Sequence, residues 1–234
     1  MITISNLTVS YNKNEKVINK LNLSMNNGLI HGIVGLNGAG KTTLLNTLFG
    51  LKKTDEGGIL FDNHKINKRT VAYLVTENFF YSNITGKEYL DLFKNYDFDI
   101  EQWNILFNLP LDKVIDGYST GMKKKLALLG ILKQDKPLMI LDEPFNGLDI
   151  ETVRIIRMIL LRFKEKNKTI IITSHIIETL TNLCDYIHYL ESGKIKYSID
   201  KNGFAEFEQD VFKKIENENI SLINNLIQQQ STKR

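Results

Sequence analysis

The chain has a single cysteine in 234 residues, so no internal disulfide can form. That absence matches a reducing compartment. Cys184 follows an apolar helical run and is expected to be a buried thiol rather than a reactive one. Net charge is almost lacking as well: 30 basic residues against 27 acidic ones leave +3, with no dense basic stripe. Charge alone therefore points to neither nucleic acid nor anionic lipid, and no nucleic-acid partner is expected. No apolar run reaches the roughly 18–20 residues that span a bilayer. Met1-Ile2-Thr3-Ile4 lacks the charged segment followed by an apolar one that opens a secretory signal. The expectation is a cytoplasmic chain, peripheral on the inner face of the cell membrane if a membrane partner holds it there. Internal repeats and low-complexity linkers are also missing. What remains, 42% hydrophobic and 24% charged residues, is an ordinary globular composition, long enough for one large domain or two small ones.

What is present centres on Leu29 to Leu48. A short apolar strand ends at Val34, a glycine-rich turn comes next, and a helix opens at Lys41. Gly35, Gly40, Lys41 and Thr42 satisfy G-x-x-x-x-G-K-[ST] in its strand–loop–helix context. Glycines let backbone N–H groups wrap a phosphate with no Cβ in the way, and the helix N-terminus adds unpaired N–H groups and a positive dipole end. Gly35, Leu36, Asn37, Gly38, Ala39, Gly40, Lys41, Thr42 and Thr43 are therefore candidate nucleotide-binding residues. Lys41 reaches β- and γ-phosphates in such loops, and the Thr42 hydroxyl ligates Mg²⁺.

Around this loop the pattern alternates. Residues 1–11 and 17–25 have the two-residue period of strands, with polar Asn12 to Lys16 as a turn between them. Asn26-Asn27-Gly28 is a further turn. A helix from Lys41 to Phe49 stops at Gly50, a loop covers Thr54 to Gly58, and short strands are expected at 59–62 and 71–75. Residues 84–134 read as helical: Thr85 with Glu88 forms a capping box, a second helix covers Ile100 to Phe107, and a third covers Thr120 to Leu132. Strand 138–141, a helix from Ile150 to Lys166, strand 169–173, a helix from Ile176 to Leu183 and strands 186–190 and 194–197 complete an alternating β/α core. From Phe204 on the chain is amphipathic, with Phe204, Phe207, Val211, Phe212, Ile215, Leu222, Ile223, Leu226 and Ile227 apolar, and the polar tail 228–234 is expected to fray. The fold class is α/β: a P-loop NTPase with a mixed or parallel sheet core, an N-terminal antiparallel β subdomain and an inserted helical subdomain. Residues 1–200 form the nucleotide-binding domain in this reading, with the helical subdomain at about 84–134 and a helical extension at 201–234.

Two further stretches carry chemistry. Leu138-Met139-Ile140-Leu141 is a fully apolar strand ending in Asp142-Glu143, at the sheet edge where open α/β folds bind ligands. Asp142 there can hold Mg²⁺ and Glu143 can orient or deprotonate an attacking water. Tyr118 to Leu126 puts Ser119, Thr120 and Gly121 at a helix start, a second anion site. Taken alone, Ser119 or Thr120 is an N-cap and Lys123 to Lys125 a solvated face.

In this order, Tyr11, the loop at 35–42, a helical insertion, Ser119 to Met122, Leu138 to Glu143, Asn146-Gly147-Leu148-Asp149 and Thr173-Ser174-His175 resemble the nucleotide-binding domain of an ABC transporter. The resemblance covers about residues 1–200 and leans, through Tyr-Ser-x-Gly-Met-Lys-x-Lys-Leu, toward a bacterial exporter-like branch. It implies that Tyr11 stacks on adenine, that Ser119 and Gly121 contact the γ-phosphate of an ATP held by a partner subunit, that Asp149 communicates across the dimer, and that His175 contacts the γ-phosphate. Catalysis falls to Glu143 and His175, and Mg²⁺ to Thr42 and Asp142. It further implies ATP hydrolysis that powers transport, with export favoured, through a separate transmembrane permease. The ATPase would pair with itself or with a paralogous ATPase. A non-transport ABC-type ATPase and a regulatory ATP-binding module are the alternatives. Two departures stand out: Thr76, with Glu77 next, sits where the family usually has a glutamine, and Thr120 and Met122 replace a glycine and a glutamine of the signature. The aromatic loop Asn78 to Asn83 fits docking to the membrane subunit or a core role equally.

Overall fold

The computed structural model describes residues 1–11 and 15–231, with the side chains of 214, 215, 218, 222 and 225–231 excepted. Residues 12–14 of the expected turn and 232–234 of the tail lie outside them.

Strands β1 (Ile2–Ser10), β2 (Lys16–Met25), β4 (Glu56–Phe61) and β5 (His64–Lys65) form one antiparallel sheet, ordered β2-β1-β4-β5. Its edge strand β2 alternates buried and exposed positions along its second half, as a one-sided sheet requires. Of the loop expected at Thr54 to Gly58, Thr54 and Asp55 are loop and Glu56 to Gly58 are the start of β4. Gly57 has φ +77, and a Cβ there would lie 2.3 Å from the Ser5 carbonyl oxygen. The glycine thus lets β4 approach β1 where their register shifts between Ser5 and Thr8, so it marks a bulge and not a loop.

The second sheet joins β3 (Ile30–Val34), β6 (Val71–Leu74), β7 (Leu138–Leu141), β8 (Thr169–Ser174), β9 (Tyr186–Glu191) and β10 (Lys194–Asp200) in the order β10-β9-β3-β8-β7-β6. All neighbours are parallel except β10, which folds back antiparallel on β9 through a turn at Gly193, φ +72. The continuous apolar runs reflect burial on both faces. Ile33, Leu138, Ile140 and Ile171 point into one core, with the antiparallel sheet and helix α1 (Lys41–Phe49). Ile30, Val34, Met139, Leu141, Ile170 and Ile172 point into the other. The helices α4 (Thr120–Lys133), α5 (Ile150–Glu165) and α6 (Ile177–Thr181) close that second face.

Between β6 and α4 lie two short helices. Helix α2 (Gly86–Asp91) opens on a capping box in which the Thr85 hydroxyl accepts from the Glu88 N–H while the Glu88 carboxylate accepts from the Thr85 N–H. Helix α3 (Ile100–Phe107) is capped by Asp99 and ends at Asn108 in the left-handed region. Helix α7 (Phe204–Ser231) anchors its first turns through buried Phe207, edge-on to Tyr189. It continues through 228–231, where the polar sequence suggested fraying. Ile215, Leu222, Leu226 and Ile227, expected on its apolar face, fall outside the described side chains. Cys184 is fully buried, and burial raises its thiol pKa far above the ordinary range. Among the described residues no helix is long and apolar enough to cross a membrane.

Candidate functional site

Four neighbouring strands, β3, β8, β7 and β6, end on one sheet edge. Their register sets Val34 beside Ser174, Leu141 beside Ile172 and Leu74 beside Leu141. The segments that leave these strand ends are thereby aligned: the glycine loop, His175, Asp142-Glu143 and Thr76. Residues far apart in sequence meet because parallel strands present the same end. They line a cleft of about 620 Å³ with Tyr11, Asn37, Gly38, Gly40, Lys41, Thr42 and Thr43 in its walls.

The glycine loop is shaped by contact as much as by its own turn. A Cβ on Gly35 would lie 2.3 Å from the Leu190 carbonyl oxygen, so only glycine lets the loop leave β3 against β9. Gly40 precedes α1 with φ 105, and no side chain caps that helix. The first N–H groups of α1 thus face the cleft without a side-chain partner, the arrangement that binds anions. Leu36 is exposed, and Ala39 is buried under the loop. Lys41 is buried and donates to the Gly35 carbonyl at 2.6 Å, so the loop's own backbone holds the ammonium. Desolvation lowers its pKa, opposed by the negative charges of Glu143 and Asp142.

Asp142 is completely buried and accepts three hydroxyl hydrogen bonds. Thr42 donates to Oδ2 at 3.0 Å, Thr76 to Oδ2 at 2.7 Å and Thr173 to Oδ1 at 2.6 Å. The Thr173 oxygen in turn accepts the Glu143 N–H at 3.0 Å. Glu143 itself sits at φ 48, a left-handed conformation that costs a non-glycine residue about 1–3 kcal/mol. Its Oε2 lies 3.1 Å from His175 Nδ1. The left-handed backbone and the Thr173 bond together set the direction of this carboxylate.

The remaining candidates divide between the cleft and its surroundings. Tyr11 lines the cleft, its hydroxyl 3.3 Å from the Thr43 hydroxyl and its ring under Lys52 Nζ at 4.3 Å. Ser119, Gly121 and Asp149 stand outside this cleft. Ser119 caps α4, accepting from the Met122 N–H at 3.2 Å. A Cβ on Gly121 would lie 3.2 Å from the Gly147 carbonyl oxygen, which brings that turn against the 146–149 loop. Asp149 caps α5, accepting from the Thr152 N–H and hydroxyl, and pairs with Lys125 at 3.3 Å. The backbone bond from Thr152, its hydroxyl and Lys125 hold this carboxyl at about 2.

Three residues of the site escape sequence reasoning. Thr173 looks like the last residue of a buried strand, yet its hydroxyl joins the Asp142 carboxylate to the Glu143 backbone N–H. Thr76 stands out in sequence only for what it replaces, and it is Thr76 rather than exposed Glu77 that reaches Asp142. Lys124, expected on a solvated face, is buried. A hydroxyl directly after an apolar run, Ile170 to Ile172 or Val71 to Val75, is the only local signal for the first two. The aromatic loop divides: Phe80 packs on Tyr89 and the core, while Phe79 is 78% exposed and Tyr81 60% exposed.

Residues 18–146 match the family model described as ABC transporter. The chain is 30% identical to the ABC transporter ATP-binding protein YtrB of Bacillus subtilis, over 95% of this chain and 82% of that protein. It is 30% identical to the lantibiotic transport ATP-binding protein SrtF of Streptococcus pyogenes, over 89% of this chain and 95% of that protein. It is 33% identical to the bacitracin transport ATP-binding protein BcrA of Enterococcus faecalis, over 83% and 68%. In fold it is similar to a solved ATP-binding subunit of an ABC transporter, with a TM-score of 0.81 at 24% identity, covering 89% of this chain and 93% of that one. A cassette solved as a dimer with ADP and Pi gives a TM-score of 0.77 at 22% identity, over 86% and 99%.

Proposed function

This chain belongs to the ABC transporter family as an ATP-binding, ATP-hydrolysing subunit, and from that premise we propose how its residues divide the work. Residues 1–200 are the cassette, 84–134 its helical subdomain and 201–234 an appended helix. Gly35 to Thr43 hold the ATP phosphates. The Lys41 ammonium exchanges the Gly35 carbonyl for β- and γ-phosphate oxygens, which favour the cation more than a neutral carbonyl does. Tyr11 lies where an adenine ring can stack on it once Lys52 moves aside.

The donor set suits Mg²⁺. A hydroxyl and a carboxylate, Thr42 and Asp142, lie 3.0 Å apart, both hard oxygen ligands. Mg²⁺ needs only one or two such protein groups beside substrate phosphates and water. When bound, it neutralises charge on the β- and γ-oxygens.

Hydrolysis is an in-line attack of water on the γ-phosphorus. Glu143 accepts the water proton as the new P–O bond forms and the bond to the β-phosphate oxygen breaks, releasing ADP and phosphate. His175 donates from Nδ1 to the Glu143 carboxylate and holds it in line beside the γ-phosphate that the ring contacts. Ser119 and Gly121, outside the chain's own cleft, serve a second ATP across a head-to-tail dimer with a second copy or a paralogue. Asp149 bridges that interface. The cargo path belongs to a separate membrane permease, which puts this subunit on the cytoplasmic face. Phe79 and Tyr81 dock onto it, since a core role leaves no reason for two aromatics to stay exposed. Transport is outward, and relatives named for lantibiotic and bacitracin transport support a peptide cargo.

The observation that carries this reading is the convergence of Lys41, Thr42, Asp142, Glu143 and His175 on one cleft. Steady-state phosphate release and ATP-dependent gel filtration test it. Glu143→Gln should bind ATP, lose at least a hundredfold in turnover and accumulate as a dimer, while Lys41→Ala should lose ATP binding. Turnover of Glu143→Gln equal to the parent's would remove Glu143 as the base, and micromolar ATP binding by Lys41→Ala would remove the loop as the phosphate site.

A further inference from the structure

Lys124 is the buried lysine of the run Lys123-Lys124-Lys125 on α4, with 6% of its surface exposed. Its Nζ donates to the Thr76 carbonyl at 3.4 Å, the one hydrogen bond it makes among the described residues. None of the described carboxylates lies within ion-pair distance of it. A lysine is seldom buried without a paired charge, because desolvating the ammonium costs several kcal/mol. Burial lowers its pKa, and the negative charges of Asp142, then Glu143, oppose that shift. The compensation is therefore long-range: the site's two carboxylates hold the cation in place. A methionine of similar length would fill the same space without the cost, so the charge calls for a reason.

Thr76 supplies one, since it is bound from both sides. Its carbonyl accepts from Lys124 and its hydroxyl donates to Asp142 Oδ2, the oxygen that Thr42 also contacts. A continuous chain thus runs from α4, through one residue after β6, to the carboxylate at the end of β7. The same helix begins at Ser119 and Gly121, the turn proposed to serve the partner's ATP. We propose that Lys124 is a positioning residue for ATP hydrolysis, which fixes the Thr76 hydroxyl on Asp142 and so ties the placement of α4 to the geometry of the carboxylate pair. The inference rests on the roles proposed for Asp142 and Glu143. It predicts that chemistry slows, with ATP affinity little changed, when α4 loses this charged link.

The test compares kcat and KM for ATP, ATP binding and urea stability for the full chain carrying Lys124→Met, Lys124→Arg, Thr76→Val and the Lys124→Met/Thr76→Val pair. Lys124→Met should lower kcat about tenfold or more, shift ATP affinity less than threefold and leave urea stability equal or higher, because a buried charge is gone. Lys124→Arg, which keeps charge and donor, should recover at least a third of parental kcat. In the Thr76→Val background the Lys124→Met change should cost less than threefold more, because its effect passes through the Thr76 hydroxyl. If Lys124→Met turns over within twofold of the parent, or if its penalty multiplies in full with that of Thr76→Val, the inference fails. Should Lys124→Met not fold, the Arg variant decides: a kcat equal to that of Thr76→Val overturns the link, and near-parental kcat supports it. An inactive Glu143→Gln beside an unaffected Lys124→Met would sink this inference alone and leave the assignment of the base standing.

Discussion

Thr173→Val offers a clean measurement of what holds the carboxylates. Valine has nearly the shape of threonine, so the change removes a hydroxyl and little else. That hydroxyl makes two buried bonds: it donates to Asp142 at 2.6 Å and accepts the Glu143 N–H at 3.0 Å. The first is a hydrogen bond to a charged group, about 1.5–3 kcal/mol. Losing the second strands a buried N–H, about 1–3 kcal/mol. Replacing a hydroxyl by a methyl in an apolar strand returns about 1 kcal/mol. The net is a loss of about 1.5–5 kcal/mol. At a urea slope of about 3 kcal/mol/M, the midpoint should fall by about 1 M. Thr173→Ser is the control, since it keeps both bonds and gives up one methyl, about 1 kcal/mol. Equilibrium urea unfolding followed by circular dichroism reads both variants. The reasoning is refuted if Val costs under 1 kcal/mol or if Ser costs as much as Val. Turnover should fall in the same order, parent above Ser above Val, because the Glu143 backbone is held by the same oxygen.

Stability should fall in mild acid through two buried histidines. His31 Nδ1 lies 3.1 Å from His188 Nε2, and burial, then the charge of His31, pulls the His188 pKa down to about 3. A folded-state pKa below the unfolded value of about 6.5 means this stability is complete above that value and is lost as pH drops toward the folded one. At pH 5.0 the loss from His188 alone is about 2 kcal/mol, and His31, lowered by burial, adds to it in the same direction. Urea midpoints at pH 7.5 and 5.0 that coincide would rule this out. At the surface, Phe79→Ser with Tyr81→Ser should leave urea stability within about 0.5 kcal/mol and isolated-subunit ATPase unchanged, yet weaken co-purification with the permease at least tenfold. A loss of stability of several kcal/mol would return these aromatics to the core.

The glycine loop, the strand before it and the carboxylates at 142–143 are legible in sequence because each is written locally. Glycine at fixed offsets, four apolar residues running into Asp-Glu, and Thr85 with Glu88 need no distant partner to be recognised. Helix α3 (Ile100–Phe107) falls where the sequence places it for the same reason: its cap and its stop are both within a turn of it. Gly57-Gly58 reads as a loop in sequence because the deciding atoms belong to Ser5 and Asn6, some fifty residues away in chain order and brought close only by pairing of β1 with β4. Likewise, nothing near Lys124 distinguishes it from Lys123 and Lys125. A helix face is solvated or buried according to what packs on it, and here the loop after β6 covers one lysine of three. The sequence alone marked which groups are candidates to bind phosphate and metal. The tertiary structure decided which hydroxyls hold Asp142 and which lysine is tied to it, because those contacts depend on parallel strands ending together at one edge of the sheet.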